Sequence, residues 1–291
     1  MDQFALAAAE RLTTRPAENY QQISVQPLTP VIGAEVSGID LSQKLSEEQL
    51  AEVRHAFLTH HVLVFRDQHL SPEDHKRFAR YFGELRRAQR SEGDERDPEV
   101  LDIKADQNST FVDGNDWHTD GTADAEPSLG SMLYLIRPPA IGSGGDTMFA
   151  NMHLAYEMLS PTMQGFLDGL TAVHDGLVPW KGYQPPADYV VPRSEHPVVV
   201  RHPDTGRKLL FVNPGFTTHI VQLSAEESRA LLDLLFGLVA NKPLLSCRVR
   251  WAPNTLVFWD NRCTQHHAIW DYYPHARYGQ RVSINGSRPT A

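Results

Sequence analysis

Trp117-His118-Thr119-Asp120 is the stretch whose residue types and spacing most directly suggest chemistry. Side chains alternate along an extended strand, so a His and an Asp one residue apart face the same way. An imidazole beside a carboxylate forms half of a transition-metal centre, and one further imidazole completes a two-His, one-carboxylate face. His-x-Asp recurs by chance, so the pattern needs a third donor. His266 is the candidate, following an apolar run from Leu256 to Trp259 that reads as a rigid strand. A facial triad leaves coordination positions open, which suits an iron that binds both a chelating co-substrate and dioxygen. Thr147 and Arg277 extend the set. An Arg grips a carboxylate through two parallel hydrogen bonds and a Thr hydroxyl adds a third, a fit for the far end of a dicarboxylic keto acid.

The elements that must position these residues are legible in outline. Ile23 to Ile39, with Gly33 and Gly38, suggests a twisted strand pair. Ser46 and Gln49 form a capping-box pattern opening a helix with Leu50, Val53, Phe57 and Leu58 on its apolar face. Val62 to Phe65 reads as a buried strand, and Ser71-Pro72 as the start of a second helix stopped near Gly83. Strands are expected at Glu99 to Lys104, at Met132 to Ile136 and after Gly144-Gly145, with short helices from Leu154 and Ser160-Pro161. Gly176 to Ser194 carries Pro179, Pro185, Pro186 and Pro192 with Trp180, Tyr183 and Tyr189, the composition of an active-site lid. Val198 to Val200 and Leu209 to Val212 flank Asp204-Thr205-Gly206 as a hairpin, and a capping box at Ser224 opens a helix to about Ala240. Cys247 to Trp251, Leu256 to Trp259 and Gln280 to Asn285 are strand-like. Strands before, among and after the helices predict one mixed α+β domain over residues 21–291, built on a β-sandwich or barrel, behind an N-terminal tail or frayed helix over residues 1–20.

Composition narrows the function classes. The formal charge of −9 argues against a non-specific nucleic-acid binder. Cys247 and Cys263 are the chain's 2 cysteines, which fits a reducing cytoplasm without a disulfide framework or thiolate cage. No signal-peptide pattern opens the chain, and no apolar run approaches the roughly 20 residues that cross a bilayer. The expectation is a cytoplasmic protein with no membrane and no nucleic-acid partner.

The combined motifs resemble the taurine/2,4-D dioxygenase (TauD/TfdA-like) family of iron(II)- and 2-oxoglutarate-dependent oxygenases. The resemblance runs from about Ile23 to Arg288. It rests on Ile32 to Gly38, Val64 to Gln68, Trp117 to Asp120, Gly144 to Thr147, Phe211 to Thr217, Trp259 to Arg262, and Gln265-His266, in the family's order and spacing. It implies a double-stranded β-helix (jelly-roll, cupin-like) core with flanking helices, Fe(II) on His118, Asp120 and His266, and 2-oxoglutarate held by Thr147 and Arg277. It further implies hydroxylation of a small or medium anionic substrate with O2, releasing succinate and CO2, and a dimeric or tetrameric assembly. Arg281 matches a position that in several members reaches the substrate's acidic group. Asp120, where related halogenases carry a small residue, points to hydroxylation.

Departures from the taurine-specific pattern bear on the substrate. Where those enzymes carry a His, a Tyr and an Asn, this chain has Ala88, Ser91 and Gly114. The expected substrate is therefore a sulfonate or sulfate ester other than taurine, or an aryloxyalkanoate or other carboxylate. Arg86, Arg87 and Arg90 either restore positive charge there or form a solvated turn. Asn213 and Phe216 are weaker candidates near the site, Trp117 and Trp259 read as core, and Arg262 as the structural partner of Asp260 or Asp271. Alternatives are the same chemistry on an amino-acid-like or carrier-bound intermediate, or a non-catalytic metal- or 2-oxoglutarate-binding jelly roll.

Overall fold

A computed structural model describes residues 3–14, 18–88, 96–112, 114–140, 142–181 and 183–291. In chain order the elements are α1 (Gln3–Thr13), β1 (Ser24–Pro27), β2 (Ala34–Ser37), α2 (Glu47–His60), β3 (Val62–Phe65), α3 (Pro72–Arg80), β4 (Leu101–Ala105), β5 (Gly130–Arg137) and β6 (Thr147–Asn151). They continue with α4 (Met152–Glu157), α5 (Pro161–Leu167), β7 (Thr171–Asp175), β8 (Arg193–Pro197), β9 (Val199–Arg201), β10 (Lys208–Leu210) and β11 (Thr217–Ile220). The last are α6 (Ala225–Asn241), β12 (Ser246–Val249), β13 (Thr255–Asp260), β14 (Thr264–Ala268) and β15 (Arg277–Ile284). The architecture is mixed α+β, as the alternation of patterns predicts.

A seven-stranded sheet in the order β1-β2-β3-β13-β5-β15-β4 is the backbone of the fold, and a three-stranded sheet β12-β6-β14 carries the other half of the site. Strand alternation divides the large sheet's side chains between two cores. Val62, Val64, Leu133, Leu135, Val257 and Trp259 join one core with Phe149 of β6 and Val249 of β12. Leu63, Phe65, Met132, Tyr134, Leu256 and Phe258 join the other, with Val53 and Phe57 of α2 and Phe78 of α3. Burial on both faces explains why β3 and β13 read as unbroken apolar runs rather than alternating ones. The second core is aromatic: Phe57 stacks on Phe258 at 3.9 Å between ring centroids.

The helix signals hold in detail. Ser46 and Gln49 close a capping box at α2, Ser71 and Asp74 at α3, and Ser224 and Glu227 at α6. The buried face of α2 runs through Val53, Ala56, Phe57 and His60, with Leu50 and Leu58 at its margins. Two expectations are corrected. Residues 3–13 are not a tail: α1 packs beside α4, with Ala5 and Ala8 fully buried in the first core. Trp117 to Asp120 is not a strand, since only His118 makes a β-bridge and Asp120 lies in a turn. Among the described residues no helix is long and apolar enough to cross a membrane.

His75 of α3 is buried in the aromatic core, edge-on to Tyr134. Burial pushes its imidazole down from 6.5 to about 4. In the unfolded chain the same ring takes up a proton below about 6.5, so between these values the unfolded state binds more protons. Stability therefore falls as pH falls through that window, by up to about 1.4 kcal/mol per pH unit from this residue. His75→Leu should flatten the dependence of urea-unfolding stability on pH by close to one proton, and an unchanged slope would sink the assignment.

Candidate active site

His118 and His266 come together through the backbone. His118 N donates to His266 O at 3.0 Å and His266 N donates to His118 O at 2.8 Å, a single antiparallel bridge at the edge of β14. Directly opposed residues project their side chains to one face, and the two rings lie 4.0 Å apart by centroid. Asp120 Oδ1 stands 3.7 Å from His118 Nε2 and 3.8 Å from His266 Nε2. The side-by-side arrangement expected of a strand is thus achieved by a bridge and a turn.

The turn is held from the large sheet. Asp120 N donates to Asn261 Oδ1 at 2.9 Å, and Asn261 Nδ2 donates back to Asp120 O at 2.9 Å. Ser131 Oγ on β5 donates to Asp120 Oδ2 at 3.1 Å, and Ser283 Oγ on β15 lies 2.9 Å from Ser131 Oγ. Arg281 Nη1 donates to Asp120 Oδ1 at 3.0 Å. Burial alone would raise the Asp120 carboxyl, but Arg281 and the two imidazoles outweigh it and hold it well below the usual carboxylate range. Burial, reinforced by His118, holds the His266 imidazole well below its ordinary value. His118 Nδ1 lies 2.8 Å from Asp116 O, which fixes Nδ1 as the protonated nitrogen and turns the Nε2 lone pair toward Asp120. His266 Nδ1 is buried without a partner.

Close backbone approach leaves these rings little freedom. A Cβ on Gly215 would lie 2.5 Å from His118 Cβ, and one on Gly114 would lie 2.9 Å from His118 Cε1, with Gly114 at φ +82°. Gly215, beside the expected Asn213 and Phe216, is thus the member of that turn that touches His118. Asn213 is buried and donates to Thr122 Oγ1.

Thr147 and Arg277 meet around Trp251. Trp251 Nε1 donates to Thr147 Oγ1 at 3.0 Å, leaving the Thr147 hydroxyl proton free to donate. The Arg277 guanidinium lies 5.5 Å from the Trp251 ring and 5.8 Å from the Tyr272 ring. It is buried and donates to Gly145 O at 3.2 Å, while its Nε has no partner. Among the described residues it forms no salt bridge. A buried guanidinium without a carboxylate is costly, and an incoming anion relieves that cost.

Other expectations divide. Arg86 pairs with Asp124 at 2.6 Å, which commits its charge within the protein. Ala88 is half-buried, its amide bonded to Pro98 O at 2.7 Å. Ser91 and Arg90 lie outside the described residues. Arg262 holds Asp260 through Nε and Nη2 at 2.8 and 2.7 Å, the structural pairing expected. Trp117 packs edge-on to His267, and Trp259 is buried beside His266. In the lid segment Trp180 packs on Tyr189, while Tyr183 stacks on Phe111 and Lys181 pairs with Asp116. These contacts tie the segment to the loop leading into His118.

Sequence reasoning gave no role to Asn261, Ser131, Ser283, Gly215 or Trp251. Asn261 sits in the conspicuous Trp259-Asp260-Asn261-Arg262 block and so carried a signal; the two serines, ordinary strand residues, carried none.

Residues 24–283 match the family model for taurine catabolism dioxygenase TauD, TfdA family. The alkylsulfatase of Acinetobacter baylyi is 33% identical, over 96% of this chain and 90% of its own. The alpha-ketoglutarate-dependent 2,4-dichlorophenoxyacetate dioxygenase of Cupriavidus pinatubonensis is 31% identical, over 84% and 91%. The crystal structure of a taurine dioxygenase from Burkholderia xenovorans superposes with a TM-score of 0.80 at 36% identity, covering 92% of this chain and 93% of that one. With that span of agreement, this protein belongs to the TauD/TfdA family of dioxygenases.

Proposed function

We propose that the chain is an Fe(II)- and 2-oxoglutarate-dependent dioxygenase that hydroxylates a small or medium anionic substrate, a sulfonate or sulfate ester or an aryloxyalkanoate. The observation that carries this reading is a two-histidine, one-carboxylate donor set in a chain that also buries a guanidinium beside a threonine hydroxyl. His118, Asp120 and His266 present two imidazoles and a carboxylate whose donor atoms lie within 4.8 Å of one another. Arg277 and Thr147 present an unpaired buried cation and a free hydroxyl proton. The donor set fits Fe(II), and the second site fits the distal carboxylate of 2-oxoglutarate. When bound, iron with 2-oxoglutarate and O2 supplies the oxidant that converts a substrate C–H to C–OH, with succinate and CO2 as co-products.

The chain's own residues prepare that chemistry. Asp116 O keeps the proton on His118 Nδ1, so that Nε2 can ligate. Asn261 and Ser131 orient the Asp120 carboxylate. Arg281, beside Asp120, supplies positive charge toward the substrate's acidic group. Gly114, where a side chain would meet His118 Cε1, leaves no room for an amine-binding Asn, which supports a substrate other than taurine. The two sheets and the shared core between them support a double-stranded β-helix within a single domain that takes in α1 together with residues 21–291.

Anaerobic addition of Fe(II) and 2-oxoglutarate should give the weak visible charge-transfer band of a keto-acid chelate. That band should shift with alkyl sulfates, alkyl sulfonates or aryloxyacetates and not with taurine; its absence would overturn the reading. Asp120→Ala should abolish hydroxylation, and retained full activity would remove Asp120 from the ligand set. Arg277→Ala should raise the 2-oxoglutarate requirement by roughly 10- to 100-fold through loss of a charge-assisted contact, read as KM for the keto acid. Asn261→Ala should weaken Fe(II) binding by about 10- to 100-fold while leaving the keto-acid band reachable at high iron. Unaltered iron affinity would show that Asn261 does not position Asp120.

A further inference from the structure

The chain holds a second convergence of ligand-type side chains that the reaction does not use. His61, His153 and Cys263 each offer a donor atom, and these atoms lie within 4.8 Å of one another. All three residues are buried. They arrive from different parts of the chain, and backbone bonds hold them there. His61 caps α2 in a left-handed conformation, φ 64°, and its carbonyl accepts from Asp260 N at 2.8 Å. His153 lies in α4, whose first amide, Met152 N, donates to Cys263 O at 3.0 Å.

The donors are bare. His153 Nδ1 lies 2.9 Å from Lys208 O, which makes Nδ1 the protonated nitrogen and leaves the lone pair on Nε2; that Nε2 is buried with no partner. His61 Nδ1 is likewise buried with no partner. The Cys263 thiol has only Asp260 O, at 3.9 Å. Buried polar groups are normally paired, and two unsatisfied imidazole nitrogens beside a weakly bonded thiol need an explanation. His202 and the Asp260 carboxylate adjoin the same sulfur, forming a second overlapping set of donors within 4.8 Å. His202 Nε2 donates to Asp260 Oδ2 at 3.0 Å and Arg262 pairs with the same carboxylate, so those groups are already satisfied and the open donors are those of His61, His153 and Cys263.

We propose that His61, His153 and Cys263 form a second metal site, taking a borderline-soft divalent cation such as Zn²⁺. Two imidazoles and one thiolate select zinc-like ions over the hard cations Mg²⁺ and Ca²⁺. Binding exchanges the thiol proton, released to solvent, for a metal–sulfur bond, with no change of oxidation state. The site shares no ligand with His118, Asp120 and His266, and it pins the turn between β13 and β14 that carries both Asn261 and Cys263. Its role is to rigidify the platform from which Asn261 and His266 project.

Cobalt substitution tests this, because only a sulfur ligand gives the intense near-ultraviolet thiolate-to-cobalt band and the other triad has none. The full chain, stripped with chelator and loaded anaerobically with Co²⁺, should bind two equivalents and show that band. Cys263→Ser and His153→Gln should each bind one equivalent, with the band lost in Cys263→Ser and weakened in His153→Gln. Cys247→Ser should keep both equivalents and the band, and Asp120→Ala should lose one equivalent and keep the band, which separates this site from the proposed iron centre. Wild-type protein without a thiolate band, or a band that survives in Cys263→Ser, would overturn the proposal even if a variant fails to fold.

Discussion

Two backbone hydrogen bonds between His118 and His266 are the constraint on which the candidate centre depends. They join a loop to a strand far downstream and set the two rings on one face. The register of β14 on β6 does the rest, since His266 opposite Phe149 turns its ring inward among Phe149 and Trp259. A slip of one residue would turn His266 out and bring His267 in. In the observed register His267 is only half-buried, beside Asn115 and Trp117. The sheet thus decides which of two adjacent histidines faces His118 and Asp120.

Buried charge distinguishes scaffold from chemistry. Asp260 and Arg262 satisfy one another through two short bonds, with His202 and Asp204 completing the set. Such a closed network has nothing left to offer a ligand. Asp120 and Arg277 are also buried charges, but each is incompletely matched. Asp120 Oδ1 has one hydrogen bond, to Arg281, and two imidazole nitrogens held beyond bonding distance. Arg277 has one carbonyl and two aromatic rings. A fold keeps a charge in that state at a cost in stability. The cost would fall if a cation met Asp120 and an anion met Arg277, the two charges that the proposed iron–keto-acid chelate would bring.

Elements with a local signature were legible in the sequence. The capping boxes at Ser46 and Ser224, the Ser71-Pro72 helix start, the strands Val62–Phe65 and Thr255–Asp260, and the hairpin of β9 and β10 each follow from short-range chemistry. The short strands β7, β8, β11 and β14 were not, because their polar sequences, such as Thr264-Gln265-His266-His267-Ala268, become strands through pairing with distant partners rather than through propensity. In the site, residues with distinctive side chains stood out: His118, Asp120, His266, Thr147, Arg277. Their supports did not, since a serine such as Ser131 reveals itself only when a carboxylate is placed 3.1 Å away. α1 was hidden for a similar reason: Ala5 and Ala8 bury little area each, and a tail and a docked helix share that composition.

The position of Gly114 limits where specificity can arise. Its carbonyl accepts from Ala268 N at 2.8 Å, so the loop is stitched to the end of β14 while presenting no side chain over His118. Recognition groups must then come from the other walls. One is β15, whose Arg281 already faces Asp120 on the same strand as Arg277. Another is the segment carrying Trp180 and Tyr183, tied to the approach to His118 through Phe111 and Asp116. The first wall is cationic and anchored in a sheet with both faces buried; the second is aromatic and rests on side-chain stacking. On the proposed function, the acidic group of the substrate would meet the arginine wall and its apolar body the aromatic one, a division that suits a substrate with one fixed charge and a variable hydrocarbon part.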